Sequence, residues 1–102
     1  MSDTKTCTCR YKNKPRSGEL QDQLQKRLNR IVGQVNGVKT MIDENRYCGD
    51  VIIQLSAIES ALKSVERMVL QNHLETCMVD EIRNGNDEIV DEAMDLIKRV
   101  AR

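Results

Sequence analysis

The sequence predicts an all-α protein, and three observations carry that prediction. Apolar residues recur at steps of three and four along most of the chain, the spacing of one face of a helix. No stretch alternates apolar and polar residues as a half-buried strand would. There is no internal repeat and no low-complexity tract to suggest a solenoid or a fibrous chain. Aromatic residues are nearly absent, with two Tyr and no Trp or Phe. Leu, Ile, Val and Met must therefore supply the core.

Residues 1–18 are polar and basic and include the single proline, Pro15. They predict a flexible arm, followed by one helical domain over residues 19–102. The first helix starts at Glu19, with Leu20, Leu24, Leu28, Ile31, Val35, Val38 and Ile42 on one stripe, and ends near Asp43–Arg46. Gly33 and Gly37 lie inside it and each costs roughly 1 kcal/mol against Ala. The expectation is that a neighbouring helix packs closely on that face.

The second helix starts near Tyr47–Asp50 and runs to about Glu81. Leu55, Ile58, Leu62, Val65 and Val69 form its stripe, which Val51 and Ile52 widen at the start. "RNGND" (Arg83–Asp87) breaks it, with Gly85 suited to the C-terminal cap and Asn86 or Asp87 to the next N-cap. A short third helix follows, with Ile89, Ala93, Leu96, Ile97 and Val100 facing inward. The protomer is thus three helices around a long central member. A short third helix cannot cover seven or eight turns of the second, and an apolar stripe must be covered. The expectation is a dimer built as an antiparallel helical bundle.

Charge limits the partners. The chain carries 16 Lys/Arg and 16 Asp/Glu. Residues 1–46 hold ten basic against five acidic side chains, and residues 47–102 hold six against eleven. Two readings follow, a basic surface on a neutral protein or two solvated faces of uneven charge. No apolar run approaches a membrane span, and the N-terminus lacks the apolar core of a signal peptide. The expected location is the reducing cytoplasm, where cysteines serve as thiols, metal ligands or redox sensors more often than as disulfides.

The chain has four cysteines and one histidine. His73 and Cys77 are four residues apart, on one face of a helix, which suits a two-point chelate. Cys48 lies 25 residues upstream of His73, or roughly 37 Å along an unbroken helix. Donors to one metal lie within about 4 Å of each other. Cys48 therefore reaches His73 and Cys77 only if two copies of the long helix run antiparallel, giving two sites per dimer. Such a set suits Cu(I), or Zn(II) with a water. The alternative is a surface histidine and two buried thiols. Tyr47 and Glu92 are candidate hydrogen-bond partners for a ligating histidine, or ordinary surface residues.

The motifs "RLNRIVGQVNGVKTMIDENRYCGDV" (Arg27–Val51), "QLSAIESALKSV" (Gln54–Val65) and "HLETC" (His73–Cys77) resemble the copper-sensing repressor family, CsoR, over roughly residues 19–100. The resemblance implies an all-helical repressor without a helix-turn-helix, whose dimers assemble into tetramers. It implies a Cys-His-Cys site for Cu(I) shared between two subunits, matching Cys48, His73 and Cys77, with DNA released when copper binds. It matches Tyr47 and, across a one-residue gap, Glu92 to residues that hold the histidine. It also implies DNA contacts from Lys26, Arg27, Arg30 and Lys63. The nickel and cobalt branch carries His in place of Cys77, and the persulfide branch lacks the histidine, so the resemblance favours the copper branch.

The implied partner is double-stranded, pseudo-palindromic operator DNA. Phosphate contacts, to which Lys12, Lys14 and Arg16 could add, give affinity with steep salt dependence. The shortage of aromatic residues disfavours single-strand binding by stacking. Cys7 and Cys9 depart from the family pattern, and three readings stand: an accessory soft-metal pair, a thiol pair that reacts with sulfur species, or no role. They keep open a persulfide or thiol sensor using Cys48 and Cys77, and a Cu(I) buffer with no DNA role. One histidine, no catalytic pair and no phosphate loop argue against an enzyme.

Overall fold

The computed structural model describes residues 15–102. It places α1 at Gly18–Asp43, α2 at Cys48–His73, a π-helical turn at Leu74–Met78, α3 at Val79–Arg83 and α4 at Ile89–Ala101. No strand occurs among the described residues. His73 and Val79, at the two joins, both keep helical dihedrals (φ −60°, ψ −45°). Helical assignment is therefore continuous from Cys48 to Arg83, two residues beyond the end expected from the sequence. The all-α class and the three helical segments stand as predicted. The π-helical turn inside this stretch was not legible from periodicity.

Both interhelical breaks are Schellman motifs. After α1, the Asn45 N–H donates to the Ile42 carbonyl and the Arg46 N–H to the Met41 carbonyl, with Asn45 at φ 54°. After α3, the Gly85 N–H donates to Ile82 and the Asn86 N–H to Glu81, with Gly85 at φ 86°. Each pair satisfies carbonyls that a helix end would otherwise leave bare. The expected N-cap role of Asn86 or Asp87 is not met. Glu88 holds the N-cap position of α4 without a side-chain cap bond. Asn86 instead donates from Nδ2 to the buried Glu81 carboxylate at 2.7 Å, which anchors the turn from the preceding helix.

The described chain forms two compact units, one over Gly18–Glu66 and the other over Arg67–Arg102 with residues 15–17. The first unit is a helical hairpin of α1 and most of α2. Its buried positions, Leu24 and Ile31 on α1 and Val51, Ile58 and Val65 on α2, repeat every seven residues. That is the seam of two helices packed in coiled-coil fashion. The seam is narrower than the predicted stripes. Leu28, Val35, Ile42, Leu55 and Leu62 stay exposed within the chain.

Gly33 and Gly37 depart from expectation. A Cβ built at either meets nothing within 4 Å, so no helix of this chain packs closely on that face. In the second unit α4 seals the π-helical turn. Ile89 and Ala93 are 1% and 2% exposed and Cys77 is 6% exposed. Ile97, expected inward, lies at the surface, because the short α4 presents only one narrow edge to its neighbour.

Candidate metal centre and basic face

His73 is the last residue of α2 and points at α4. Its Nε2 lies 3.4 Å from Glu92 Oε1, with the two side chains 18% and 29% exposed. This is ion-pair distance, but the angles miss hydrogen-bond geometry, and Nε2 is buried with no other partner. A small ring rotation would make Nε2–H a donor to Glu92. Histidines that ligate metals through one nitrogen usually commit the other to an oxygen in this way. The structure thus brings Glu92 to His73, one of the two partners suggested by sequence.

Cys77 sits one turn beyond His73, buried in the π-helical turn. The Thr76 hydroxyl donates to the Asn72 carbonyl at 2.7 Å and stands 3.8 Å from Cys77 Sγ. Neither Thr76 nor Asn72 was singled out by sequence. The only signal was a hydroxyl residue directly before the candidate ligand. Side-chain back-bonding to the i−4 carbonyl loosens and bends a helix, and the π-helical turn occurs where this bond forms.

Cys48 opens α2 and is exposed, with a free thiol. It belongs to the first unit, and His73 and Cys77 belong to the second. Among the described residues no group of three or more His, Cys, Asp or Glu converges on one point. A single chain therefore supplies two soft donors in the second unit and one more in the first. Tyr47 belongs to the first unit and is 74% exposed. Its ring lies over Gly49, where an added Cβ would come 2.5 Å from Tyr47 Cε2. Gly49 is thus a constrained position in "YCGD" that spacing did not reveal. Cys7, Cys9, Lys12 and Lys14 lie outside the described residues.

The donor chemistry fits a soft metal ion. Two thiols and an imidazole, with a carboxylate behind the imidazole, match the preferences of Cu(I) and Zn(II) rather than of hard, oxygen-seeking cations. The basic candidates also gather. Arg27 Nη1 donates to Ser64 Oγ at 3.1 Å, which draws the start of α1 to the segment of α2 that carries Lys63. Lys26, Arg27 and Arg30 are exposed, and Lys63 is half-buried.

An all-helical chain with a divided soft-donor set and a basic face has the parts of a metal-responsive regulator of DNA. The family model for metal-sensitive transcriptional repressors matches residues 20–99, and the chain belongs to that family. It is 36% identical over 88 residues to the copper-sensing transcriptional repressor CsoR of Bacillus subtilis, covering 85% of this chain and 87% of that one. It is 41% identical over 87 residues to the copper-sensing repressor RicR of Mycobacterium tuberculosis, covering 82% and 91%.

Among solved structures, the chain resembles the copper-sensing repressor CsoR with Cu(I) from Geobacillus thermodenitrificans. The TM-score is 0.78 at 43% identity, with 87% of this chain and 94% of that one covered. It also resembles the nickel-responsive regulator InrS, with a TM-score of 0.65 at 39% identity, covering 78% and 90%. The two neighbours are thus described for different metals, copper and nickel.

Proposed function

We propose that this protein is a Cu(I)-responsive transcriptional repressor that holds operator DNA when metal-free and releases it when copper binds. The observation that carries the reading is the buried His73 Nε2 facing Glu92, beside the buried thiol of Cys77. It supports reading His73 as an oriented ligand rather than a surface residue. His73 and Cys77 of one subunit, with Cys48 of the partner subunit, would hold the ion. When bound, Cu(I) supplies a soft centre of low coordination number that ties two chains together.

The exposed apolar residues of α1 and α2 support an antiparallel helical dimer, and a dimer of dimers by resemblance to the family. Residues 19–102 then form one sensing and DNA-binding domain, preceded by the arm. No helix among the described residues is long and apolar enough to cross a membrane, which agrees with a cytoplasmic regulator.

The chain's own residues carry the switch. Glu92 fixes the imidazole plane, and Tyr47 joins the same hydrogen-bond network. Lys26, Arg27, Arg30 and Lys63 meet the phosphates and grooves of a pseudo-palindromic duplex. A ligand shifts the balance between the two forms only by its differential affinity, typically about 1–3 kcal/mol of coupling. A persulfide sensor using Cys48 and Cys77 would leave the His73–Glu92 arrangement without a role.

Anaerobic fluorescence anisotropy with duplex DNA from upstream of the protein's own gene tests the reading. Stoichiometric Cu(I) should release wild-type protein, and Zn(II) and a persulfide donor should not. His73→Ala should keep its DNA in the presence of Cu(I). Release by persulfide alone, in both proteins, would replace copper sensing with thiol sensing.

A further inference from the structure

The π-helical turn at Leu74–Met78 interrupts an otherwise α-helical stretch at the residue that carries a candidate ligand. Single π turns inside α-helices are rare and occur mostly at functional sites. Here the turn coincides with a short side-chain-to-backbone bond. The Thr76 hydroxyl takes the Asn72 carbonyl at 2.7 Å, on the same carbonyl that an α-helical Thr76 N–H would use. The widened turn changes the angle at which residue 77 leaves the helix, and so sets where the Cys77 thiol lies relative to His73.

We propose that Thr76 is a positioning residue for Cys77, its hydroxyl holding the widened turn that aims the thiol toward the side of His73. A hydroxyl has one proton to donate and lone pairs to accept. Thr76 Oγ1 has two acceptors in reach, the Asn72 carbonyl at 2.7 Å and Cys77 Sγ at 3.8 Å. The shorter of the two, to the Asn72 carbonyl, ties the side chain at residue 76 to the preceding turn of the helix, directly before the residue that carries the thiol.

This inference rests on the reading of Cys77 as a copper ligand, and two measurements separate their failures. In the metal-free protein, backbone Cα shifts and amide exchange over residues 72–79 read the turn directly. Thr76→Val keeps the shape and removes the hydroxyl, and should restore an ordinary α-helical turn there. Thr76→Ser keeps the hydroxyl and should retain the wild-type pattern. Competition with a chromophoric Cu(I) chelator then reads affinity. Thr76→Val should bind about 10–100-fold more weakly than wild type, the range for groups that support a metal ligand, and Thr76→Ser should rescue it.

A π-helical turn that persists unchanged in Thr76→Val overturns the proposal, whatever the copper result. Equal Cu(I) affinity in wild type and Thr76→Val overturns it as well. If wild type binds no Cu(I) while Thr76→Val straightens the turn, the copper reading falls and the positioning role of Thr76 stands.

Discussion

His73 Nε2 stands 3.4 Å from Glu92 Oε1, joining the end of the long central helix to the short α4 that follows the Gly85 turn. Through this pair, a change at the imidazole is felt by a second helix. Glu92→Ala should still bind one Cu(I) per subunit, because the three donors remain. It should lose most of the allosteric coupling, so that Cu(I) changes DNA affinity by less than about 5-fold, the lower end of typical coupling. Anisotropy with and without Cu(I) checks this. Full release by the loaded variant would remove Glu92 from the switch.

Arg27 crosses to Ser64 on α2 while lying on the exposed basic face of α1. If it contacts phosphate, Arg27→Ala should weaken binding to operator and unrelated DNA alike. It should also lower the slope of log affinity against log salt by about 1. A lost preference for operator with an unchanged slope would instead assign Arg27 to base reading.

Gly49 and Tyr47 compete for one space, since a Cβ at residue 49 falls 2.5 Å from the ring. Gly49→Ala should change stability little, because displacing the exposed ring offsets the roughly 1 kcal/mol that Ala gains over Gly in a helix. In a Tyr47→Ala background the same change should stabilise by up to about 1 kcal/mol. Urea unfolding of the four proteins in this cycle measures the difference. Additive effects would show that the ring does not rest on Gly49.

The two left-handed caps should respond differently to substitution. Gly85, at φ 86°, should lose about 1–2 kcal/mol when changed to Ala, because a Cβ is strained in that region. Asn45, at φ 54°, should accept Gly with little change, since Asn tolerates the left-handed conformation and Gly requires no compensation there. Denaturant midpoints of Gly85→Ala and Asn45→Gly against wild type give the comparison.

The helices were legible because Leu24, Ile31, Ile58 and Val65 repeat at helical spacing and Gly85 punctuates the chain where a cap needs a positive φ. Of the candidate site, the approach of Glu92 to His73 was suggested by the sequence, because a ligating histidine needs an oxygen for its second nitrogen. Burial was less so. Leu28, Leu55 and Leu62 belong to the predicted stripes yet remain exposed within the chain, since periodicity says which face is apolar and not which neighbour covers it. Gly33 and Gly37 suggested close packing that this chain does not make, because small residues mark a face without naming its occupant. The π-helical turn was invisible because a single widened turn inside a helix leaves no period in the sequence. Asn86 was read as an N-cap because its residue type suits one, but the buried Glu81 carboxylate claims its amide.

The most direct test of the shared site is subunit mixing. Cys48→Ala and Cys77→Ala protein should each bind no Cu(I) in competition with a high-affinity chelator. Unfolded together and refolded as a mixture, they should form dimers in which Cys48 of one subunit meets His73 and Cys77 of the other, restoring one intact site per mixed dimer. Recovery of tight Cu(I) binding in the mixture, absent from either variant alone, is the predicted result. No recovery from a mixture shown by native mass spectrometry to contain mixed dimers would contradict a site built across two subunits.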